Sequence, residues 1–175
     1  IMRILLVKRI DSSFFAFKMS LKRYFDANRA MFKMIENNRI YIAPKIKVSD
    51  FIINEDEQYL EQLLLDAENP EIIQVFSGDD FEPEFIEGIY KDHTILEKLV
   101  NEWCKIDYDP KYETFIKKLK TELLTKELNP NKRLIVFSES KETTGYLFDR
   151  LKTDGIQNVL CVDSSELGLQ RNRFS

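Results

Sequence analysis

Glycine is scarce in this chain, at five of 175 residues, and none of the five is followed by lysine. A nucleotide-hydrolysing lobe needs a glycine-rich loop ending in Lys and Ser/Thr to cradle phosphates and magnesium. No such loop is present in these residues, and no catalytic residue is assigned to them. Two cysteines, Cys104 and Cys161, and one histidine, His93, exclude a disulfide framework and zinc-ligand spacing. Both thiols fall in apolar patterns, where a free cysteine behaves as a small hydrophobe, which points to a reducing, cytoplasmic setting. No hydrophobic run reaches the ~20 residues of a membrane span. The opening run to Val7 is too short for a secretory leader, and Lys8, Arg9 and Asp11 stand where a small-residue cleavage site belongs. Beginning with Ile1 rather than Met, the chain reads as an excised piece.

What is abundant is charge, unevenly placed. Residues 1–50 carry 11 Lys/Arg against 4 Asp/Glu, residues 51–110 carry 3 against 17, and residues 111–175 carry 12 against 9. The ends and the middle therefore suit different partners, with the basic ends able to approach a polyanion.

Helical periodicity is strongest over residues 3–37. Val7, Ile10, Phe14, Phe17, Leu21, Tyr24, Asn28, Met31 and Ile35 form a heptad seam, with Lys8, Lys18, Lys22, Arg29 and Lys33 off it and solvated. Asn37-Asn38 ends this helix. Residues 39–43 alternate as a short strand or extended segment, and residues 48–53 read as an apolar link with Ser49 or Asn54 capping the next helix. Further helices are expected over about 55–68, 83–106 and 109–128. The second of these opens at Pro83 and is placed antiparallel to the first helix, with Glu87, Glu97 and Glu102 towards its basic flanks. Between them, residues 71–83 are acidic and irregular, with Ile72, Ile73, Val75 and Phe76 as an apolar tether. Asp109 caps the last of the three helices, with Pro110 at its first position. Asp79, Asp80 and Glu82 read as a solvated acidic turn. Asp56-Glu57 reads as a helix start, where carboxylates complement the dipole.

From Lys132 the pattern changes. Arg133-Leu-Ile-Val-Phe137 is an apolar, β-rich run; Ser140 is a suitable N-cap for a helix burying Tyr146, Leu147, Phe148 and Leu151; Thr153-Asp154-Gly155 ends it; Val159-Leu-Cys-Val162 is a second apolar run. Two such runs joined by a helix form a parallel βαβ crossover. The fold class expected is therefore mainly α with a C-terminal α/β part: long antiparallel helices over 1–130, then a truncated βαβ unit over 131–175. Two strands alone do not make a stable sheet. Either helices cover the strand edges or two copies pair them, and self-association is the expectation.

Leu134-Ile-Val-Phe-Ser138 with Thr143, Thr144 and Leu147 resembles the start of the second RecA-like lobe of superfamily-two helicases and translocases. Asp109-Pro110-Lys111 with Phe115 and Leu119 is similar to the helix that precedes this strand in Swi/Snf-type translocases. Lys8-Arg9-Ile10-Asp11-Ser12-Ser13, followed by Phe14, Ala16 and Phe17, resembles a helix of bacterial Swi/Snf-like helicases. The resemblance implies the helical region between the motor lobes plus the first elements of the second lobe. It implies ATP and magnesium for the parent enzyme, none of them held by these residues, and nucleic acid, DNA foremost, as the parent's partner.

Two groups of residues are candidates for contact with nucleic acid or between lobes. Ser138, Ser140, Lys141, Thr143 and Thr144 surround the start of a helix whose free N–H groups suit a phosphate; a simple helix cap is the competing reading, and both stay open. Lys8 and Arg9, with Asp11, Ser12 and Ser13, either anchor the first helix or touch phosphate; a local Lys8–Asp11 ion pair is the favoured reading. His93 reads as a surface or seam residue, with nothing placed beside it to act as nucleophile. The alternative function is a helical protein-interaction module without motor activity. A small doubly wound phosphate-binding domain ranks third, because Phe137-Ser-Glu-Ser-Lys141 has no glycine.

Overall fold

In the computed structural model, residues 2–54, 56–66, 73–138 and 140–162 are described. The chain is mainly helical, and the sheet among the described residues is one pair of short antiparallel strands. It divides into two compact units, one made of residues 1–20 and 106–175 and the other of residues 21–105. This grouping of the chain ends differs from a division at residue 130.

The helix expected over residues 3–37 is two helices, α1 (Met2–Ser12) and α2 (Phe14–Glu36). Residues Phe14–Ser20 of α2 belong to the first unit and Leu21–Glu36 to the second. The buried hydrophobics are Ala16, Leu21, Ala30 and Met34, of which Leu21 alone lies on the seam, and Val7 is 56 % exposed, so the heptad seam is not the main buried line. Small residues and a flexible Met allow close packing where the larger seam side chains lie half-exposed.

In the second unit, Asn38 takes a left-handed conformation (φ 52°) after α2, a role to which Asn is suited. Its side-chain oxygen then accepts from the Gly78 N–H at 2.6 Å and from the Ser77 hydroxyl at 3.1 Å. A Cβ at Gly78 would lie 2.8 Å from that oxygen, so only glycine fits this approach without displacement. Strand β1 (Ile40–Ile42) pairs antiparallel with β2 (Gln74–Phe76), with Tyr41 opposite Val75. The expected irregular tether thus contains a strand; Ile73 is buried, and Ile72 lies outside the described residues. Residues 48–53, expected as a link, form the short helix α3 (Val48–Ile53), which buries Val48 and Ile52. Of the two residues expected to cap the following helix, Ser49 lies inside α3 and Asn54 ends it.

Helix α4 (Glu57–Asp66) brings in Leu60, fully buried against Ala30, Met34, Ile40, Tyr41, Ile52 and Ile73. Tyr41 donates to Glu61 at 2.6 Å, and that hydrogen bond, with the Arg39 ion pair at 2.7 Å, holds the Glu61 carboxyl below its ordinary value. Helix α5 (Pro83–Cys104) starts with Pro at its first position. His93 stacks on Phe32 and Phe25 at 4.4 and 5.4 Å and meets the Asn28 side-chain oxygen through Nδ1 at 3.0 Å. Asn28 also donates to the Ile89 carbonyl at 3.3 Å, which gives the one polar seam position its partners. Glu87 pairs with Lys91 of its own helix at 3.7 Å rather than with the first helix.

In the first unit, Asp109 caps α6 (Pro110–Lys118), which passes into a single π-helical turn at Leu119–Leu123. Helix α7 (Lys141–Thr153) packs Leu151, Leu147 and Tyr146 against Tyr112, Ile116 and Leu119. Gly155, at φ 87°, follows it in the left-handed region that ends helices. The apolar runs on either side of α7 have the expected chain order, but among the described residues neither pairs as a strand. The expected parallel βαβ is therefore not present as a sheet. The β1–β2 pair is held by the burial of Ile40 and Tyr41, whereas Leu134–Phe137 are exposed, so no comparable packing supports a ladder beside α7. No helix among the described residues is long and apolar enough to cross a membrane.

Replacing Leu60, 0 % exposed, by Ala should remove the central contact of the second unit. The expected loss is about 2–5 kcal/mol, read from the urea unfolding midpoint.

Candidate functional site

The break between α1 and α2 is made by side chains. Ser13 Oγ accepts from the Ala16 N–H at 3.0 Å, an N-cap placed inside what the hydrophobic pattern presents as one helix. The Phe14 N–H turns to Asp109 Oδ2 at 3.0 Å. The other Asp109 oxygen accepts from the Lys111 and Tyr112 N–H groups at 3.0 and 3.3 Å. One carboxylate, 4 % exposed, thus serves the first turns of α2 and α6 together. Helix starts carry partial positive charge, so the carboxylate is stabilised by both.

The start of α7 meets the same place. Thr143 Oγ1 lies 2.8 Å from Ser12 Oγ and 3.1 Å from Ser13 Oγ. Arg9 donates to Ser140 Oγ at 2.8 Å and to Glu142 at 3.0 Å, and Ser140 donates to the same Glu142 oxygen at 2.8 Å. Lys111 donates to the Asp11 carbonyl. The ion pair made by this segment is consequently Arg9–Glu142, and the expected Lys8–Asp11 pair does not form; Lys8 and Asp11 are exposed. The Arg9 and Glu142 side chains are 35 % and 25 % exposed, which limits such a pair to less than about 1 kcal/mol. The buried hydroxyl contacts of Ser13 and Thr143 fix the geometry more firmly, since separating them would strand polar atoms away from water.

Seven residues singled out in the sequence therefore fall into three groups. Arg9, Ser140 and Thr143 come together. Ser138 and Thr144 serve the backbone at Ser140: the Ser140 N–H donates to Ser138 Oγ at 3.2 Å, and Thr144 donates to the Ser140 carbonyl at 3.2 Å. Lys8 and Lys141 are exposed at the rim. As for a phosphate seat, Glu142 already presents a carboxylate beside the α7 start, and the hydroxyls are engaged. The geometry is that of a junction holding chain segments about 130 residues apart.

An aromatic and cationic stack continues from it. Phe15 lies flat on Tyr146 (4.9 Å, 7°), Tyr146 meets Tyr112 edge-on at 5.9 Å, and the Arg150 guanidinium sits 4.5 Å from the Tyr112 ring centre. The Tyr112 hydroxyl donates to Asp154. Burial first, and the Asp154 carboxylate second, push the Tyr112 hydroxyl far above its ordinary value. Burial and the Asp109 charge raise Tyr146 in the same direction. A cleft of about 130 Å³ opens between Ser12, Ser13, Asp109, Tyr112, Thr143 and Tyr146.

Sequence reasoning identified Asp109 and Ser140 as caps but missed the second duty of Asp109 and the capping role of Ser13. Both depend on partners distant in the chain; the Ser-Ser pair ahead of Phe14 was the available signal. The Tyr112–Asp154–Arg150 group was also missed, because nothing local joins those positions. No protein-family model, curated protein or solved structure matches the chain.

Asp109→Ala should leave three backbone N–H groups without their acceptor and cost the first unit about 2–4 kcal/mol in urea unfolding. For Tyr112, the folded state favours the protonated form, so its stabilisation is complete below the unfolded value of about 10 and is lost as pH rises towards the folded value. Tyr112→Phe should therefore flatten the fall in stability above about pH 10, measured as melting temperature against pH.

Proposed function

We propose that this chain is the helical connector and the opening of the second RecA-like lobe of a Swi/Snf-like superfamily-two helicase or translocase. One observation carries the reading. The three segments whose wording resembles that family, residues 8–13, 109–111 and 138–144, meet at one polar junction although they are widely separated in the chain. A connector that transmits lobe movement has to be fastened to the lobe that it carries, and Arg9, Ser12 and Ser13 bound to the start of α7 are such a fastening. The two apolar runs flanking α7 are, on this reading, strands of the lobe's parallel βαβ.

ATP and magnesium belong to the parent enzyme, and DNA is its polyanionic track. Contact with the track in this region falls to the exposed Lys8, because Arg9 and the hydroxyls are committed to the junction. A helical interaction module is the second reading, and it draws on α5, where no residue is buried and Ile95 is 56 % exposed.

The test joins a biochemical assay to the gene. The purified 175-residue chain should show no DNA-stimulated ATP hydrolysis. The coding sequence beyond Ser175 should supply an acidic strand and then an arginine-bearing QRxGR-type segment. Other sequence there would remove the motor reading, and turnover by the chain alone would refute its incompetence.

A further inference from the structure

The hydroxyls where α1, α2 and α7 meet are engaged with one another, but their protons outnumber the acceptors. Thr143 Oγ1 contacts Ser12 Oγ at 2.8 Å and Ser13 Oγ at 3.1 Å, and Ser13 Oγ accepts from the Ala16 N–H. Three O–H groups joined by two hydrogen bonds leave one proton over. Burial decides which one. Ser13 and Thr143 are buried, whereas Ser12 is half-buried. A donor without an acceptor is costly inside a protein, so the chain runs outward. Ser13 donates to Thr143, Thr143 donates to Ser12, and the Ser12 O–H is the free donor. The Asp109 carboxylate has the matching vacancy for a donor. A carboxylate offers about four acceptor sites, and the N–H groups of Phe14, Lys111 and Tyr112 fill three of them.

Ser12 and Asp109 both line the cleft of about 130 Å³, and its apolar wall is made by Tyr112, Phe115, Tyr146 and Leu147. A cavity of roughly 150 Å³ suffices for benzene in an apolar protein interior, so this cleft has room for one ring. Aromatic walls favour a ring over a flexible chain, through edge-on and offset contacts. Net charge on the ligand is opposed in either sign. An anion meets the Asp109 carboxylate, and a cation meets Lys111, which also lines the cleft. From the free donor, the open acceptor site and the aromatic wall, we propose that this cleft binds a neutral monocyclic phenol. The ligand hydroxyl accepts from Ser12 and donates to Asp109, and its ring lies against the aromatic wall. Water alone is the competing occupant; it satisfies the two polar groups but leaves that wall wet. Every residue concerned belongs to the first unit, and the proposal stands whether or not the motor reading holds.

The experiment titrates the 175-residue chain with phenol, anisole and benzene, followed by backbone amide chemical shifts. Phenol should saturate with a Kd of about 1 mM, the affinity expected of so small a ligand. The amides that shift should be those of residues 12–14, 109–115 and 143–147. Benzene makes neither polar contact and anisole cannot donate to Asp109, so each should bind roughly tenfold more weakly than phenol. Ser12→Val removes the free donor and narrows the cleft, and should abolish phenol binding up to about 10 mM. Should that variant fail to fold, the order of the three ligands on the unmodified chain decides alone. Equal affinity for the three, shifts centred on other residues, or undiminished phenol binding by folded Ser12→Val would each overturn the proposal. So would the absence of saturable phenol binding below about 10 mM, the result expected of a cleft that holds only water.

Discussion

The Asp109 carboxylate is the constraint on which the first unit depends. A buried charge is costly unless its surroundings replace water, and here three backbone N–H groups from two helix starts do so. Because the two oxygens are divided between α2 and α6, the relative placement of those helix starts is set by the dimensions of one carboxylate. Ser13 and Ser140 extend the arrangement by capping α2 and α7, and Thr143 links the two caps. Apolar contact holds this unit together, but the polar junction determines which segment stands against which. Hydrophobic packing tolerates sliding, whereas donors and acceptors with fixed directions do not.

The second unit is organised differently. Its centre is apolar, built where Ile40, Tyr41, Ile52 and Leu60 converge on the buried side of α2. Polar detail lies at its margins: Asn38 ties the end of α2 to the turn before α5, and Asn28 joins α2 to α5 through His93 and the Ile89 carbonyl. A His ring stacked between two Phe rings and directed by an Asn oxygen is adequately explained as packing with its polar atom satisfied.

Features governed by neighbouring residues were readable in the sequence. Asp109 before Pro110, Ser140 ahead of Thr143, Asn38 after α2 and Gly155 after α7 are local signals, and each stands where its chemistry suggests. The misses have non-local causes. Ser13 interrupts a helix because Asp109, 96 residues further on, takes the N–H that the preceding turn would otherwise hold. Residues 48–53 coil because Val48 and Ile52, four apart, reach one core, a period too short to recognise in six residues. The strand at residues 74–76 is ordered by its partner at residues 40–42, and the runs at 133–137 and 159–162 show the converse, since among the described residues these apolar β-formers have no ladder. In the candidate site, individual capping residues were legible; their assembly into one junction was not, because it joins positions near both ends.

That junction has a consequence for how the molecule is made. Arg9 and Ser140 are 131 residues apart, so their hydrogen bond closes most of the chain into a loop. Closing a flexible loop of that length is entropically costly, and native contacts of this span slow folding. The residues between α2 and α6 include a unit with its own core, and early collapse of that unit would shorten the free chain to be closed. During synthesis, α1 emerges before the other helices among the described residues and waits for α7, the last of them, before its polar side chains meet their partners. Until then α1 has no seat, and it is more exposed to proteases than the unit formed by residues 21–105.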